Sequence, residues 1–284
     1  MKTHASTILI DSKRGLKFTE SPRWHDGKLW FSDMHSGCVM TLDPNGHAET
    51  VLRLDDEPSG LGWLPDGRLL VVSMHQRNVL RRDRDDLVVH ADLAAVASFH
   101  ANDMVVDARG RAYVGNFGFD LNGGAAQAQT NLALVHPDGR VEIAASDLLF
   151  PNGTVLTPDG GTLVVGETFA ARLTAFDVAA DGRLSKRRVW APLEHAVPDG
   201  ICLDAEGAIW VASPISKGVL RVREGGEVLQ RIAVDHQAYA CMLGGADRCT
   251  LYICTAETHD PAKTGANTGR IEAIVVDVPG AGLP

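Results

Sequence analysis

A single frame, repeated along the chain, limits what this sequence can fold into. Residues 150–168, FPNGTVLTPDGGTLVVGET, place a polar residue before glycine, run through an apolar strand, turn at Pro-Asp-Gly-Gly and return through a second apolar strand. Proline presets φ at such a turn and glycine accepts φ > 0, so the stretch reads as a β-hairpin. The frame recurs in PSGLGWLPDGRLLVVS, HANDMVVDARGRAYVGN and VPDGICLDAEGAIWVAS. With Ser59, Asn102, Asn152 and Asp199 as heads, a glycine follows eight positions later in every copy: Gly67, Gly110, Gly160 and Gly207. A copy one residue shorter begins at Glu20, and a weaker sixth, ACMLGGADRCTLYICTA, puts Cys241 at the head. Successive heads lie 39, 43, 50, 47 and 42 residues apart, the length of one four-stranded blade. Six copies predict an all-β chain, a six-bladed β-propeller with residues 1–284 as one domain.

After each first hairpin comes a second pair of apolar alternations around a charged or glycine-bearing turn, as in LALVHPDGRVEIAA and GVLRVREGGEVLQRIA. Residues 6–10, STILI, stand before the first repeat and are expected to pair with residues 271–278, IEAIVVDV, closing the ring without a free edge. Helix-forming composition is confined to a short run at 92–98, DLAAVAS. Antiparallel order returns the second strand of each blade to the face that carries the head residue, which brings residues 33–35, 73–75, 116–119, 167–169, 213–215 and 255–259 to that face, among them His35, His75, Asn116 and His259. The long connection at 117–131 joins strands there too, either as a lid or specificity element or as a disordered insertion.

Composition removes several classes of function. A formal charge of -9 argues against binding a phosphate backbone, so nucleic acid is not an expected partner. No run approaches the roughly 20 apolar residues of a spanning helix, and the N-terminal residues lack a signal-peptide apolar core. Neither a membrane association nor export is expected. Cys38, Cys202, Cys241, Cys249 and Cys254 are odd in number and form no C-x-x-C pair, which suits free thiols in the cytoplasm. Tryptophans 24, 30, 63, 190 and 210 fit packing within blades. Histidines show no H-E-x-x-H spacing, and no G-x-S-x-G elbow is present.

Chemistry is expected where the innermost strands converge on the axis. Glu20, Asn102, Asn152 and Asp199 would meet there, and two carboxylates in one enclosed volume are costly without a partner. One divalent cation supplies it: oxygen donors suit Ca, Mg or Mn, and carboxylates also accept Zn or Fe(II). The alternative is that each Asn or Asp before glycine merely serves its turn.

Glu20 in ESPRW, Asn102-Asp103 in HANDMVVDARGRAYVG, FPNG at 150–153, VPDG at 197–200 and the late GGADRCTLYICTA together resemble the SMP-30/gluconolactonase/luciferin-regenerating-enzyme-like family. The resemblance spans roughly residues 17–278 and implies a six-bladed propeller with one divalent metal at its axis. It implies Glu20, Asn152 and Asp199 as metal ligands, with Asn102 a fourth ligand or a substrate contact. It further implies a lactonase, a hydrolase opening a small-molecule lactone through a polarised carbonyl and an attacking water. Asp199 is the candidate catalytic base. His75, His100, Asn102 and Asn116 are the candidate substrate-binding residues. Sugar lactonases of the family place an arginine where this chain has His100, so a guanidinium fork for several hydroxyls is missing. His100 then donates one hydrogen bond, moves a proton or is only wall. Two other functions stay open: phosphotriester or fluorophosphate hydrolysis at the same metal, and a non-catalytic interaction propeller with a structural metal.

Overall fold

The computed structural model describes residues 6–260, 262 and 267–282. They form six four-stranded antiparallel sheets, each sheet taking its strands in chain order except the last. The six inner strands are Thr19–His25, Pro58–Trp63, Ala101–Val106, Pro151–Leu156, Ile201–Leu203 and Gln237–Gly244. Each packs against the next and the sixth packs against the first, so the ring closes as a six-bladed propeller. Closure is made by the N-terminus: Thr7–Ile10 is the outer strand of the sixth blade, pairing Thr7 with Ala273 and Ile10 with Ile271. The expected pairing of residues 6–10 with 271–278 is the one observed.

The repeated glycine of each first hairpin has a plain cause. Gly67, Gly110, Gly160 and Gly207 all stand at φ between 69° and 85°, a left-handed turn position that costs other residues strain. A different constraint fixes the glycine directly after the head. A Cβ on Gly153 would lie 2.4 Å from the Asp199 carbonyl oxygen, and one on Gly200 would lie 2.5 Å from the Ala240 Cβ. Inner strands approach so closely near the axis that only hydrogen fits, and Gly153 N–H donates to Asp199 O across the gap (3.2 Å).

Apolar residues of each sheet face the neighbouring sheets. One buried cluster joins Leu29 and Phe31 of the first blade to Trp210 and Val219 of the fifth and to Leu251 and Ile253 of the sixth. The tryptophans do pack within and between blades: Trp24 stacks on Tyr252 at 5.6 Å, and Trp30 meets Trp63 edge-on at 5.4 Å. All five cysteines are free. Residues 92–98 form a turn closed by Leu93 O, which accepts from Val96 and Ala97 N–H, and no helix, because a run this short cannot offset the cost of nucleation. Among the described residues, helix is confined to three single 3₁₀ turns, and no helix is long and apolar enough to cross a membrane.

Candidate metal centre

Strand register places one residue of every blade at the mouth of the axial channel. Thr19 pairs with Asp33, Pro58 with Ser73, Ala101 with Asn116, and Pro151 with Glu167; the residue after the first member of each pair is Glu20, Ser59, Asn102 or Asn152. In the sixth blade Ala238 pairs with Thr255, so Tyr239 holds the sixth place and Cys241 lies two residues deeper. Gly200 N–H donates to Tyr239 O (2.7 Å) as Gly153 N–H does to Asp199 O, which confirms the register. Cys241 is buried against Cys202 Sγ at 3.9 Å and takes no part in the mouth. The Gly-Gly-Ala-Asp-Arg turn lengthens this hairpin, so counting back across the turn stops two residues short of the head.

Four mouth residues form a hydrogen-bonded chain that runs in one direction across four blades. Ser59 Oγ donates to Asn102 Oδ1 (3.2 Å), Asn102 Nδ2 to Asn152 Oδ1 (3.0 Å), and Asn152 Nδ2 to Asp199 Oδ1 (2.6 Å). Thr168 supports the third link: its hydroxyl donates to Pro198 O (2.8 Å) and accepts from Asn152 Nδ2 (3.2 Å). Opposite this chain, Ser21 adopts φ 48°, a left-handed conformation unusual for serine, and its N–H donates to Glu20 Oε2 at 2.7 Å. The strained turn holds the Glu20 carboxylate at the axis.

The electrostatics of the floor follow from its enclosure. Glu20 and Asp199 open only toward the cavity, and burial pushes both carboxyls up. The Asp199 charge raises Glu20 further, while the Ser21 N–H opposes the shift. Asp199 is pushed up to about 8 by burial, with the Asn152 amide opposing and Asp103 adding to the shift. The nearest guanidinium is already committed. Arg23 donates to Asp103 Oδ1 (2.5 Å), Met104 O (2.6 Å) and Pro22 O (2.8 Å) beneath the floor, with side-chain exposures of 5% and 7% for the Arg23–Asp103 pair. Arg23 offsets the charge on Glu20 only in part, and burial still leaves both carboxyls raised. Together with an amide oxygen they make a donor set suited to a hard divalent cation. Among the described residues no three His, Cys, Asp or Glu side chains stand together as a metal cluster; this set mixes carboxylates with amide.

Above the floor lies a cavity of ≈ 480 Å³, lined by Glu20, Asn102, Asn152 and Asp199 together with His75 and His100. His100 stacks on Phe99 at 4.0 Å and meets the His75 ring edge-on at 4.3 Å. His75 Nδ1 lies 2.8 Å from Asp56 Oδ1. Burial, then the charge of His75, lowers the His100 imidazole to about 4, so it is neutral at pH 7. Asn116 is the exception among the candidate residues, and its assignment to substrate is corrected here. It is fully buried and does not line the cavity; its Nδ2 donates to Asn131 O (2.7 Å) and its Oδ1 accepts from Gly118 N–H and Thr130 Oγ1. Its amide ties together the ends of the 117–131 connection, whose Phe117, Leu121 and Asn122 form part of the cavity wall.

The roles of four residues at the site escape a reading of motifs. Tyr239 is hidden by the longer hairpin. Thr168 lies in the strand end 167–169 expected at this face, but its hydroxyl bonds to Pro198 and Asn152 have no mark in the sequence. Arg23 and Asp103 are 80 residues apart, and only ring closure makes them a pair.

The structural class is a six-bladed propeller with carboxylates and amides converging at one axial mouth. Membership is settled by comparison: the sequence profile of the SMP-30/Gluconolactonase/LRE-like region matches residues 18–257, and the chain belongs to that family. It is similar to a 6-deoxy-6-sulfogluconolactonase of Pseudomonas putida, 28% identical over 284 aligned residues and covering 93% of each chain. A pentonolactonase of Haloferax volcanii is 28% identical over 88% of this chain and 84% of its own. Among solved structures, a calcium-binding protein, regucalcin, from Agrobacterium tumefaciens superposes with a TM-score of 0.82 at 23% identity, covering 100% of this chain and 99% of that one.

Proposed function

We propose that this protein is a lactone hydrolase that works with one divalent cation held by Glu20, Asn152 and Asp199. The observation that carries the reading is the mouth itself. Two carboxylates from distant blades share an enclosed floor with raised pKa values and no unspent guanidinium, beside amides locked into a directional chain. The named activities of the two lactonase relatives fit that floor.

A cation bound there would polarise the lactone carbonyl and stabilise charge developing on its oxygen. The chain supplies the remaining parts. Asn102 sits beside Asn152 with its amide facing the cavity and orients the carbonyl end of the substrate. Asp199 has one oxygen engaged by Asn152, which leaves the other to take a proton from the attacking water. The water oxygen bonds to the carbonyl carbon, the ring C–O bond breaks, and the proton passes from Asp199 to the departing ring oxygen. One hydroxy acid leaves. His75 and His100 form the wall over this floor, where His100 is neutral and able to accept or donate one hydrogen bond.

The test is hydrolysis of a lactone panel followed by pH-stat before dialysis against chelator, after it, and after readdition of Ca, Mn, Mg or Zn. The expected result is loss on chelation and recovery with at least one ion. Hydrolysis that persists in protein shown by elemental analysis to be metal-free would refute the proposal.

A further inference from the structure

The wall above the floor says more about the substrate than the floor does. On one side Phe117 stacks on Phe150 at 4.4 Å, and Phe169 meets Phe150 edge-on at 5.3 Å. Phe150 stands at φ 56°, immediately before Pro151 and Asn152, so an unusual backbone conformation presents its ring to the cavity. On the other side Phe18 meets Tyr239 edge-on at 4.7 Å and stacks on the His35 ring at 4.9 Å. The Tyr239 hydroxyl is engaged, donating to Gln237 Oε1 (2.7 Å), and Tyr239 lines the cavity beside Phe18. At the rim Ile215 is 66% exposed and lines the cavity mouth with an apolar side chain.

Permanent cations are missing from this wall. Among the described residues no Lys or Arg lines the cavity. Lys17, close to His35, is held outward by the His35 carbonyl (3.3 Å), and Arg77 donates to Ala97 O (3.1 Å). Burial lowers the His35 imidazole to about 4, as it does that of His100. A polyhydroxylated ring would strip its hydroxyls of water against phenyl faces, and an anionic substituent lying along the wall would meet no Lys or Arg there and would lie in the same cavity as the Glu57 carboxylate.

We infer that the site takes lactones bearing an apolar substituent, aliphatic or aromatic, in preference to sugar lactones and to lactones carrying an anionic group. The inference rests on the lactonase reading for its chemistry and on the wall for its selectivity. The carbonyl lies on the polar floor, and the substituent lies between the Phe117–Phe150–Phe169 group and the Phe18–Tyr239 pair.

A series of γ-lactones with 5-alkyl chains of increasing length, dihydrocoumarin, glucono-δ-lactone and a carboxylated γ-lactone are assayed with the metal-supplemented full chain. kcat/KM should climb about two- to fourfold per methylene until the cavity is filled. Dihydrocoumarin should be opened at least tenfold more efficiently than glucono-δ-lactone, and the carboxylated lactone least of all. Phe169→Ala should flatten the chain-length dependence; Ile215→Ser, at an exposed position that folding does not depend on, should lower it in the longer members. Preference for glucono-δ-lactone, or no dependence on chain length, overturns the inference while leaving a lactonase. The matching 5-alkyl lactams, which resist opening, read binding alone through the melting temperature. If no lactone is opened but longer lactams stabilise the protein more, the wall assignment stands and the lactonase reading falls; lactams without effect overturn the wall assignment.

Discussion

Removing the Arg23 guanidinium tests whether the floor is held from beneath. Arg23 and Asp103 are both buried, joined at 2.5 Å, and Arg23 also satisfies the carbonyls of Pro22 and Met104. Arg23→Met keeps a comparable apolar stem but leaves the Asp103 carboxylate without its partner. Breaking a buried ion pair from one side costs about 3–5 kcal/mol, and so little solvent reaches this pair that no screening reduces the figure. At about 2–4 °C per kcal/mol for a chain of this size, the melting temperature should fall by roughly 6–20 °C in differential scanning calorimetry. The companion Arg23→Met, Asp103→Leu double variant removes both charges and should recover much of that loss. A single variant that melts within 2 °C of the parent, or a double variant no better than the single, would refute the claim that the pair is a dry ionic strut.

Asp199→Ala should abolish lactone turnover by more than a thousandfold while leaving the far-ultraviolet circular dichroism of the propeller intact, since five other blades hold the ring. In cation-free protein the raised Asp199 carboxyl, at about 8, binds a proton that the unfolded chain releases near pH 4. Its contribution to stability is therefore present at low pH and lost as pH rises toward 8, so the apo protein should melt lower at pH 8 than at pH 5. A divalent cation needs both carboxylates ionised and should raise the melting temperature more at pH 8 than at pH 5; the opposite order would contradict the assignment. Asn116→Ala deletes three hydrogen bonds at about 1 kcal/mol each and should lower stability by about 3 kcal/mol in urea unfolding. Its KM should stay within twofold, because the amide faces the base of the 117–131 connection and not the substrate.

The blade count, the closing strand and five of the six mouth residues were legible in the sequence because they are local. A turn glycine at φ > 0 leaves a fixed mark eight residues after its head, and the glycine after the head marks a close approach of strands. The sixth mouth residue was not legible by the same rule, because a lengthened turn broke the count and pointed to Cys241 in place of Tyr239. Asn116 was misread for a different reason. Its position at a strand end on the correct face is visible in sequence, but the direction of its side chain depends on Thr130 and Asn131 across the loop. The Arg23–Asp103 pair and the aromatic walls depend on contacts between blades that no local pattern encodes. Ser59, a head residue outside the expected ligand set, donates the first hydrogen bond of the chain that ends on Asp199, a contact between blades that the sequence does not encode.

The most direct test is a crystal structure of the protein soaked in Mn²⁺, with anomalous differences collected at the manganese edge. The account predicts one strong peak per chain at the axial mouth, within coordination distance of Glu20, Asn152 and Asp199 and lost in Asp199→Ala. Strong peaks confined to other parts of the surface, with the mouth free of manganese at saturating ion, would contradict it.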